Sequence, residues 1–486
     1  MPDAPDLPDL HREPSGSWNA LALRRWLGNE APAIVDDDGV VSGDELMRLA
    51  SGAAAMFDEY GFEPGDAVPA LMDETRTAIA MVVGGALSRR PLAPLGTKLP
   101  VEDLVAAVRG LGARHVFVGP DRVELAEQVA TRAGVELVCV DSPLERHEPL
   151  AGACEPDDTA VIVHTSGTTG RPKPVFLRQR PLVARVDVYQ EVMGIGPGDR
   201  YCSASPFYHT AGVAMDVTVL GMGVAIIPQD WFSIDHWRRA GRLGVTCALL
   251  VPTMIEMLLA GDALSDASPR VLQYGAMPIH PDTLRAAMRA LPDTRFLQIF
   301  GQTEVSPISF LDHDDHVLAA AHRPELLLSV GRAIRGAELR VEHPDDDGIG
   351  EIAIRAPHVF QADEDGWRRT GDLGVISEEG FVTLHGRTGD RIIRGGENIY
   401  PVEVENALRE HPGVRDVAVV GVADRRWGEV VKAVIVPTVA DAPPNPDELR
   451  PFVAARIAHF KVPAIIEFTT ELPRTASGKV LRRRLK

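Results

Sequence analysis

The chain of 486 residues carries 50 Lys and Arg against 69 Asp and Glu, which gives a formal net charge of −19. At roughly 100–200 residues per domain this length allows several domains, and an apolar content of 45% excludes intrinsic disorder. The acidic balance also argues against a nucleic-acid binder that depends on a general positive field, so the expected partners are small molecules and not nucleic acid.

Cysteine usage and the first residues bear on the cellular compartment. Cys139, Cys154, Cys202 and Cys247 form no C-x-x-C pair, and they are predicted to be buried thiols in a reducing environment. The N-terminal residues include neither a positively charged leader segment nor an apolar one, and no later segment reaches the roughly 18 apolar residues of a membrane span. We therefore expect a cytoplasmic protein, monomeric or homodimeric, without a membrane span.

The first clear helix signal is the capping-box pattern Ser42-Gly43-Asp44-Glu45, which opens an Ala- and Met-rich segment that Gly61 can terminate. Farther along, apolar runs alternate with segments of helical periodicity. The predicted elements are a strand over Gly244–Val251, a helix over Thr253–Ala260 behind Pro252, a strand over Val271–Tyr274, a helix over Pro281–Leu291 and a strand over Arg295–Phe300. This alternation predicts parallel sheets covered by helices, a class that binds its ligands at the carboxyl ends of the strands.

The character of the sequence changes near Gly336. Two alternating runs, Ala337–Glu342 and Glu351–Arg355, flank an Asp-rich turn and predict a β-hairpin. After Asp390 the predicted elements are a helix over Val402–Arg409, strands over Val414–Val420 and Val430–Val436, and a helix capped by Asn445. A β-rich piece and then a compact α+β domain of roughly a hundred residues are therefore expected to follow the α/β body.

Two groups of charged side chains are predicted to be solvated rather than functional. His313 and His316 have a spacing that would suit a metal, but the polar stretch around them predicts an exposed loop. Arg482, Arg483 and Arg484 are predicted to form a solvated basic face.

The strongest local signal begins directly after the apolar strand Ala160–Val163. It runs His164-Thr165-Ser166-Gly167-Thr168-Thr169-Gly170-Arg171-Pro172-Lys173. Its glycines let the backbone approach an anion closely, its hydroxyls and successive N–H groups can surround phosphate oxygens, and Lys173 adds a positive charge. The segment predicts a phosphate-binding loop, although it is not the Walker pattern G-x-x-x-x-G-K-S/T.

Further motifs follow in a fixed order. They are Phe300-Gly301-Gln302-Thr303-Glu304, the run from Trp367 to Gly374, the run from Gly386 to Asp390 with Gly395 to Glu405, and the run from Pro473 to Lys479. Together with the phosphate loop, this series resembles the adenylate-forming superfamily: acyl- and aryl-CoA synthetases, adenylation domains of nonribosomal peptide synthetases, and firefly-type luciferases. The resemblance covers nearly the whole chain and is nearest to acyl- or aryl-CoA ligases.

The resemblance implies a fold and a reaction. The fold is α/β, with a large N-terminal body of helix-covered sheets over residues 1–389, a β-rich subdomain at about 331–389, and a small mobile α+β lid domain over 390–486 that is hinged at Asp390. The reaction joins a carboxylic acid to AMP with release of pyrophosphate, using ATP and Mg²⁺, and then transfers the acyl group to coenzyme A. The loop from Gly395 to Pro401 resembles that of acyl-CoA synthetases and favours coenzyme A as the acceptor.

The resemblance also implies roles for single residues. Lys479 would bridge the attacking carboxylate and the α-phosphate, and Glu304 would be the magnesium ligand, tasks that suit a positioned cation and a hard carboxylate. The catalytic set would be Lys479, His209, Thr303 and Glu304. The residues that would bind ATP or AMP are Thr165, Ser166, Gly167, Thr168, Thr169, Gly170, Lys173, Gly275, Ala276, Phe300, Gly301, Gln302, Thr303, Asp372 and Arg387. The acid pocket would be lined by Phe207, Tyr208, His209, Tyr274, Met277, Val305, Ser306 and Pro307, and Gly395 and Gly396 would serve coenzyme A.

Two alternatives stay open. The first keeps the adenylation but changes the acid or the acceptor, to an amine, a separate carrier protein, or nitrite in a diazo-forming reaction. The second is a catalytically silent nucleotide-binding regulator, against which the intact Lys479, Glu304 and Asp372 argue. The sequence does not define the acid, because the shape of a pocket depends on side-chain positions.

Overall fold

The computed structural model describes residues 16–141, 143–150, 154–166, 172–229, 231–277, 279–474 and 480–486. Two compact units make up this part of the chain. The first unit contains the residues up to Leu327 together with Ile334–Ala337 and Ala356–Ala362, and the second contains Leu328–Ala333, Glu338–Arg355 and Asp363–Lys486. Asp390 lies within the second unit, and the hinge and the domain boundary assigned to it stay predictions.

The helices of the first unit begin where the sequence offers a cap. Ser42 accepts a hydrogen bond from the backbone N–H of Glu45 at 3.3 Å, as the capping box predicted, and Pro252 occupies the first turn of its helix. The helices are α1 (Trp18–Trp26), α2 (Gly43–Glu59), α3 (Arg76–Leu87), α4 (Val101–Gly110), α5 (Val123–Ala133), α6 (Gln179–Met193), α7 (Val213–Met222), α8 (Ile234–Arg242), α9 (Pro252–Ala260), α10 (Pro281–Ala290) and α11 (His313–Ala321).

The strands of the first unit form two mainly parallel sheets, which confirms the predicted alternation. They are β1 (Pro32–Asp36), β2 (Gly39–Ser42), β3 (Val68–Leu71), β4 (Leu92–Pro94), β5 (His115–Val118), β6 (Glu136–Cys139), β7 (Thr159–Ser166), β8 (Pro172–Arg178), β9 (Arg200–Ser203), β10 (Ala225–Ile226), β11 (Cys247–Leu250), β12 (Val271–Gly275), β13 (Arg295–Gln302) and β14 (Val305–Leu311). One sheet has the order β14-β13-β12-β11-β9-β10-β1-β2 and the other β6-β5-β3-β4-β7-β8. The strands β8 and β14 run antiparallel to their neighbours, β7 and β13.

Helix α7 is buried along its whole length in the main core of the first unit. Two tryptophans of α1 bond to it: the indole N–H of Trp18 donates to the carbonyl of Val217 at 2.8 Å, and that of Trp26 to the carbonyl of Leu220 at 2.9 Å. A helix that is apolar on nearly all sides can be stable only when other elements surround it.

The second unit contains the predicted hairpin and the predicted α+β elements. Its strands are β15 (Ser329–Ala333), β16 (Glu338–Glu342), β17 (Gly350–Arg355), β18 (Arg368–Ile376), β19 (Phe381–Arg387), β20 (Ile392–Arg394), β21 (Glu397–Ile399), β22 (Val414–Asp424), β23 (Gly428–Pro437) and β24 (Ile465–Phe468), and its helices are α12 (Pro401–Arg409) and α13 (Pro446–Ala454). One sheet has the order β16-β17-β18-β19-β15, and a second has the order β21-β20-β23-β22 with β24 beside β23.

Three predictions about exposure were wrong. The segment from His313 to His316 is not an exposed loop but the start of α11, where His316 is fully buried against Tyr274. Cys139 is exposed, whereas the other three cysteines are buried. Arg482 pairs with the buried carboxylate of Glu405 at 2.6 Å, while Arg483 and Arg484 are exposed as expected.

None of the helices in the described ranges has the length and the apolar run that crossing a bilayer would require.

Candidate active site

The strands β7 and β8 flank the predicted phosphate loop. Thr165 and Lys173 face each other across this antiparallel pair, and the Thr165 hydroxyl donates to the carbonyl of Lys173 at 3.4 Å. Lys173 is exposed, so its ammonium group is available to an anion. Gly167, Thr168, Thr169 and Gly170 lie outside the described residues, so their contact with phosphate stays a prediction.

His164 precedes this loop on β7, opposite Pro174 of β8. Burial lowers its pKa to about 4, so the imidazole is neutral at physiological pH. Its Nδ1 atom is enclosed and has no hydrogen-bond partner in the part of the chain that the structure describes.

A tight turn carries the predicted magnesium ligand. Gln302 of β13 pairs with Val305 of β14, which leaves Thr303 and Glu304 as a two-residue turn between the strands. A Cβ atom at Gly301 would lie 2.7 Å from the Ser306 hydroxyl, so only glycine fits there. Phe300, Gln302 and Glu304 are partly exposed, whereas Thr303 is buried.

The described residues contain no group of three or more His, Cys, Asp and Glu side chains that would hold a metal ion by itself. Mg²⁺ is commonly bound by one or two carboxylates together with substrate phosphates. A single carboxylate in the Thr303–Glu304 turn therefore fits a magnesium ion that arrives with ATP.

The end of β12 brings two backbones very close together. A Cβ atom at Gly275 would lie 2.3 Å from the carbonyl oxygen of Ile299. The next residue, Ala276, has a φ of +67° although it is not glycine, and its side chain is exposed. Non-glycine residues held in this region cluster at functional sites, and the role of Ala276 at the nucleotide stays a prediction.

Two hydroxyls in the segment after β9 have no hydrogen-bond partner among the described residues: the enclosed Tyr208 hydroxyl and Thr210 Oγ1. Burial, and then the nearby Asp73 carboxylate, raise the pKa of Tyr208. Enclosed polar groups are nearly always paired, so hydroxyls without a partner fit a position where a ligand binds. The His209 ring lies 6.1 Å from the Tyr208 ring, between centroids.

Other residues of the predicted acid pocket are enclosed in the structure. Phe207 belongs to the hydrophobic core, and Tyr274 is fully buried with its hydroxyl 2.7 Å from Nε2 of His316. Val305, Ser306 and Pro307 are also buried, whereas Met277 is half-buried. Their contact with an acid stays a prediction.

In the second unit, Asp372 of β18 and Arg387 of β19 are cross-strand partners. Arg387 Nε lies 2.8 Å from Asp372 Oδ1, where Asp372 is nearly buried and Arg387 is half-exposed. The predicted ribose acceptor and the predicted ribose or phosphate donor thus form one ion pair.

Gly395 and Gly396 form the two-residue turn between β20 and β21, with φ values of +62° and +94°. Two positive φ values in such a turn are typical of the type I′ hairpin, for which glycine is suited. The Gly395 N–H donates to the carbonyl of Trp427 at 2.8 Å, so the turn rests on this residue.

Trp427 itself is a feature that the motifs did not single out. Its indole is 41% exposed, and the guanidinium groups of Arg394 and Arg426 lie 5.5 and 5.0 Å from its ring centroid. An exposed aromatic ring beside two cations offers a stacking surface and positive charge together. In the sequence, the only signal was Arg-Arg-Trp between two strands.

Comparisons with known proteins identify the family of the chain. A family model described as AMP-binding enzyme matches residues 25–362, and one described as AMP-binding enzyme C-terminal domain matches residues 403–479. The chain belongs to the AMP-binding enzyme family. Its members use ATP and Mg²⁺, and the chain is an adenylate-forming ligase close to acyl- and aryl-CoA ligases.

Relatives of this AMP-binding enzyme differ in their acids and acceptors. A feruloyl-CoA synthase from an Amycolatopsis species is 30% identical over 490 residues, covering 96% of this chain and 97% of its own. A fatty acid–acyl-carrier-protein ligase from Streptomyces coeruleorubidus is 29% identical and covers 94% and 93%. The solved structure of the amide bond synthetase McbA from Marinactinospora thermotolerans has a TM-score of 0.85 at 27% identity, over 96% and 99%.

One further residue of this AMP-binding enzyme was missed from the sequence. Asp216 is the only charged residue of α7, is 2% exposed, and has no hydrogen-bond partner for either carboxylate oxygen among the described residues. Burial raises its pKa well above its usual range. The available signal was a single acid within the apolar run Val213–Met222.

Proposed function

We propose that this AMP-binding enzyme activates a carboxylic acid as its acyl-adenylate, with release of pyrophosphate, and transfers the acyl group to the thiol of coenzyme A. The adenylation part rests on the family and on residue types that suit it. The acceptor rests on the Trp427 surface beside the Gly395–Gly396 turn.

Adenylation brings a carboxylate against the anionic α-phosphate, so the protein must neutralise charge and fix the geometry. Lys173 and the hydroxyl-rich loop would hold the phosphates, and Glu304 would bind the magnesium ion that accompanies them. Lys479 lies outside the described residues, and its role as the cation between the two reacting groups is carried by its motif.

Selection of ATP would depend on the Asp372–Arg387 pair. The Asp372 carboxylate can accept hydrogen bonds from both ribose hydroxyls, and the 2.8 Å contact with Arg387 orients it. Asp372→Ala should therefore raise the KM for ATP.

Glu304 is the proposed magnesium ligand. Glu304→Gln should cause a loss of activity that added magnesium partly restores, because a weaker ligand can be offset by a higher metal concentration.

The observation that carries coenzyme A as the acceptor is the exposed Trp427 ring, with the guanidinium groups of Arg394 and Arg426 5.5 and 5.0 Å from its centroid. Coenzyme A presents a purine and three phosphate groups, for which a stacking ring and two guanidinium groups are complementary. A small amine acceptor would need neither. The feruloyl-CoA synthase relative supports this choice.

A separate carrier protein is the second candidate, because the acyl-carrier-protein ligase relative covers nearly the whole chain. A carrier also delivers a thiol on a phosphate-bearing arm, so the same two arginines would serve it. The two acceptors have to be distinguished by experiment.

The test separates the two steps. The protein is incubated with MgATP and a panel of aromatic, aliphatic and polar acids, and acid-dependent pyrophosphate release identifies the substrate. Coenzyme A, a phosphopantetheinylated carrier protein or an amine is then added, and the products are identified by mass spectrometry. Thioester formation only with coenzyme A is expected; no pyrophosphate release with any acid would contradict the proposal.

A matched pair of tryptophan variants tests the acceptor site. Trp427→Ala should raise the KM for coenzyme A about tenfold and leave pyrophosphate release unchanged, because the contact proposed for the indole is with the acceptor and not with ATP or the acid. Trp231→Ala is the control, since Trp231 is also an exposed tryptophan, 51% exposed, but lies in the first unit. Equal effects of the two variants on coenzyme A would remove the assignment.

A further inference from the structure

Two buried side chains hold the strand that leaves the Thr303–Glu304 turn. On one side, the hydroxyl of Tyr189 in α6 lies 2.9 Å from Ser306 Oγ, across 117 residues of sequence, and both groups are buried. The close approach of Gly301 to Ser306 places this contact directly beside the turn.

On the other side lies the segment Ala356–Ala362, here called the strap, which belongs to the first unit. Nε2 of His358 lies 2.7 Å from the carbonyl oxygen of Pro307, and the backbone N–H of Phe360 donates to the carbonyl of Glu304 at 2.9 Å. A carbonyl oxygen only accepts, so Nε2 of His358 must carry the proton. The strap thus bonds to both ends of the segment from Glu304 to Pro307.

Arg185 packs against Tyr189 from within the core. Its guanidinium is 1% exposed, lies 5.0 Å from the Tyr189 ring centroid, and donates from Nε to Thr218 Oγ1 at 2.9 Å. Burial first, and the Arg185 charge in addition, lower the pKa of His358 to about 4 although the contact with Pro307 opposes this change. His358 is therefore a neutral donor across the physiological range.

A two-residue turn has little packing of its own, and a catalytic carboxylate needs its position held to about 0.5 Å. We propose that Tyr189, His358 and Arg185 form a buried polar clamp that fixes the Thr303–Glu304 turn for metal binding, so that they act as positioning residues. The clamp rests on the magnesium role proposed for Glu304, but none of its three side chains belongs to the predicted ATP or acid site.

The test uses variants that remove one hydrogen bond each. Tyr189→Phe removes only the hydroxyl, His358→Leu removes the donor, and His358→Gln offers an amide N–H where Nε2–H stood. Trp237→Phe is the matched control, because the buried Trp237 indole N–H also donates to a carbonyl, that of Leu264, at 2.9 Å. Melting temperatures measured alongside show whether each variant is folded.

The main measurement is ATP binding by titration calorimetry with and without magnesium, which needs no acid and no turnover. Tyr189→Phe and His358→Leu should each raise the magnesium concentration for half-maximal ATP binding about tenfold, leave metal-free binding unchanged, and lower kcat more than they raise the KM of the acid. His358→Gln should restore most of the magnesium response. Trp237→Phe should lose stability only.

Two results would overturn the clamp: an unchanged magnesium requirement in the folded variants, or the same change in Trp237→Phe. A wild-type protein that binds MgATP but releases no pyrophosphate with any acid would contradict the proposed reaction alone. The calorimetric test of the clamp would still be decisive in that case.

Discussion

At the scale of single residues, the buried carboxyl of Asp216 lowers the free energy of unfolding, and this effect grows as the pH rises. Its carboxyl is enclosed in α7 without a hydrogen-bond partner in the described ranges, and burial raises its pKa above the usual value near 3.8. Above that pH the unfolded chain releases the proton while the folded chain keeps it, so the folded state binds more protons. The contribution of Asp216 to stability therefore falls as pH rises.

Asp216→Asn should raise the melting temperature, and the gain over wild type should be larger at pH 8 than at pH 5, because the amide has the same volume but does not titrate. Thermal unfolding of variant and wild type at both pH values measures this difference in melting temperature. Asp199→Asn is the control with the opposite sign: burial opposes ionisation there, but hydrogen bonds from Arg270 and its other partners prevail and lower the pKa of Asp199. A gain for Asp216→Asn that does not depend on pH would contradict this account.

Lys479 is the residue whose charge should matter most to the first step. Lys479→Ala should lower acid-dependent pyrophosphate release at least about a hundredfold, which corresponds to roughly 3 kcal/mol of transition-state stabilisation. The variant should still convert a synthetic acyl-adenylate to the thioester. Lys432→Ala is the control, since Lys432 pairs with Glu467 at 3.0 Å and has no assigned role. Equal losses in both half-reactions would show that the assigned role is wrong.

At the scale of elements, the sequence was informative wherever the signal was local. The Ser42 cap, Pro252 at the start of α9, and the hairpin of β16 and β17 all depend on a few neighbouring residues. The start of α11 was missed because His316 is buried by Tyr274, 42 residues away. Arg482 was misplaced for the same reason, since Glu405 is 77 residues away.

The residues of the candidate site also divide into those that have a local sequence signal and those that have none. Motifs singled out Thr303 and Glu304, and Asp372 and Arg387, as candidates, since each of them lies within a short run of recognisable sequence. The contact of Tyr189 with Ser306 spans 117 residues and has no local pattern. Such partners become visible only when packing brings distant segments together.

The Gly395–Gly396 turn gives a prediction at this scale. Gly395→Ala should raise the KM for coenzyme A several-fold and leave pyrophosphate release within twofold of wild type. The new Cβ would lie 2.9 Å from the Trp427 ring, and the left-handed backbone conformation at this position costs a non-glycine residue about 1–2 kcal/mol. Gly380→Ala is the control: its φ is +83° and nothing lies within 4 Å of a Cβ there. The measurement is the kinetics of each half-reaction for both variants. A loss confined to pyrophosphate release would be incompatible with a role of the Gly395–Gly396 turn in binding coenzyme A.

At the scale of the whole molecule, the predicted hinge at Asp390 concerns motion between the two steps. Lys479 and the Gly395–Gly396 turn are wanted in different steps, so the C-terminal part is expected to rotate, with a few dihedral angles near Asp390 absorbing the change. In the structure the Asp390 N–H donates to the carbonyl of Arg387 at 3.0 Å, and its carboxylate lies 3.4 Å from Arg482 Nε.

Asp390→Pro should keep adenylation and lose most of the thioester step, because proline fixes φ at about −65° and removes the N–H donor. Asp390→Ala is the control, since it loses the contact with Arg482 but keeps a free φ. Pyrophosphate release and thioester formation are assayed separately. A proline variant that performs both steps at wild-type rates would rule out rotation about Asp390.

The bonds between α1 and α7 determine when α1 can be buried during synthesis. The Trp18 and Trp26 indoles meet carbonyl partners 199 and 194 residues later in the sequence, so during synthesis α1 emerges long before the helix that buries it exists. Contacts between segments so distant in sequence form slowly, and apolar surface that stays exposed until its partner segment is synthesised is prone to aggregation. The first helix of the described residues therefore stays exposed, with both of its tryptophans, until the ribosome has completed α7 more than 190 residues later.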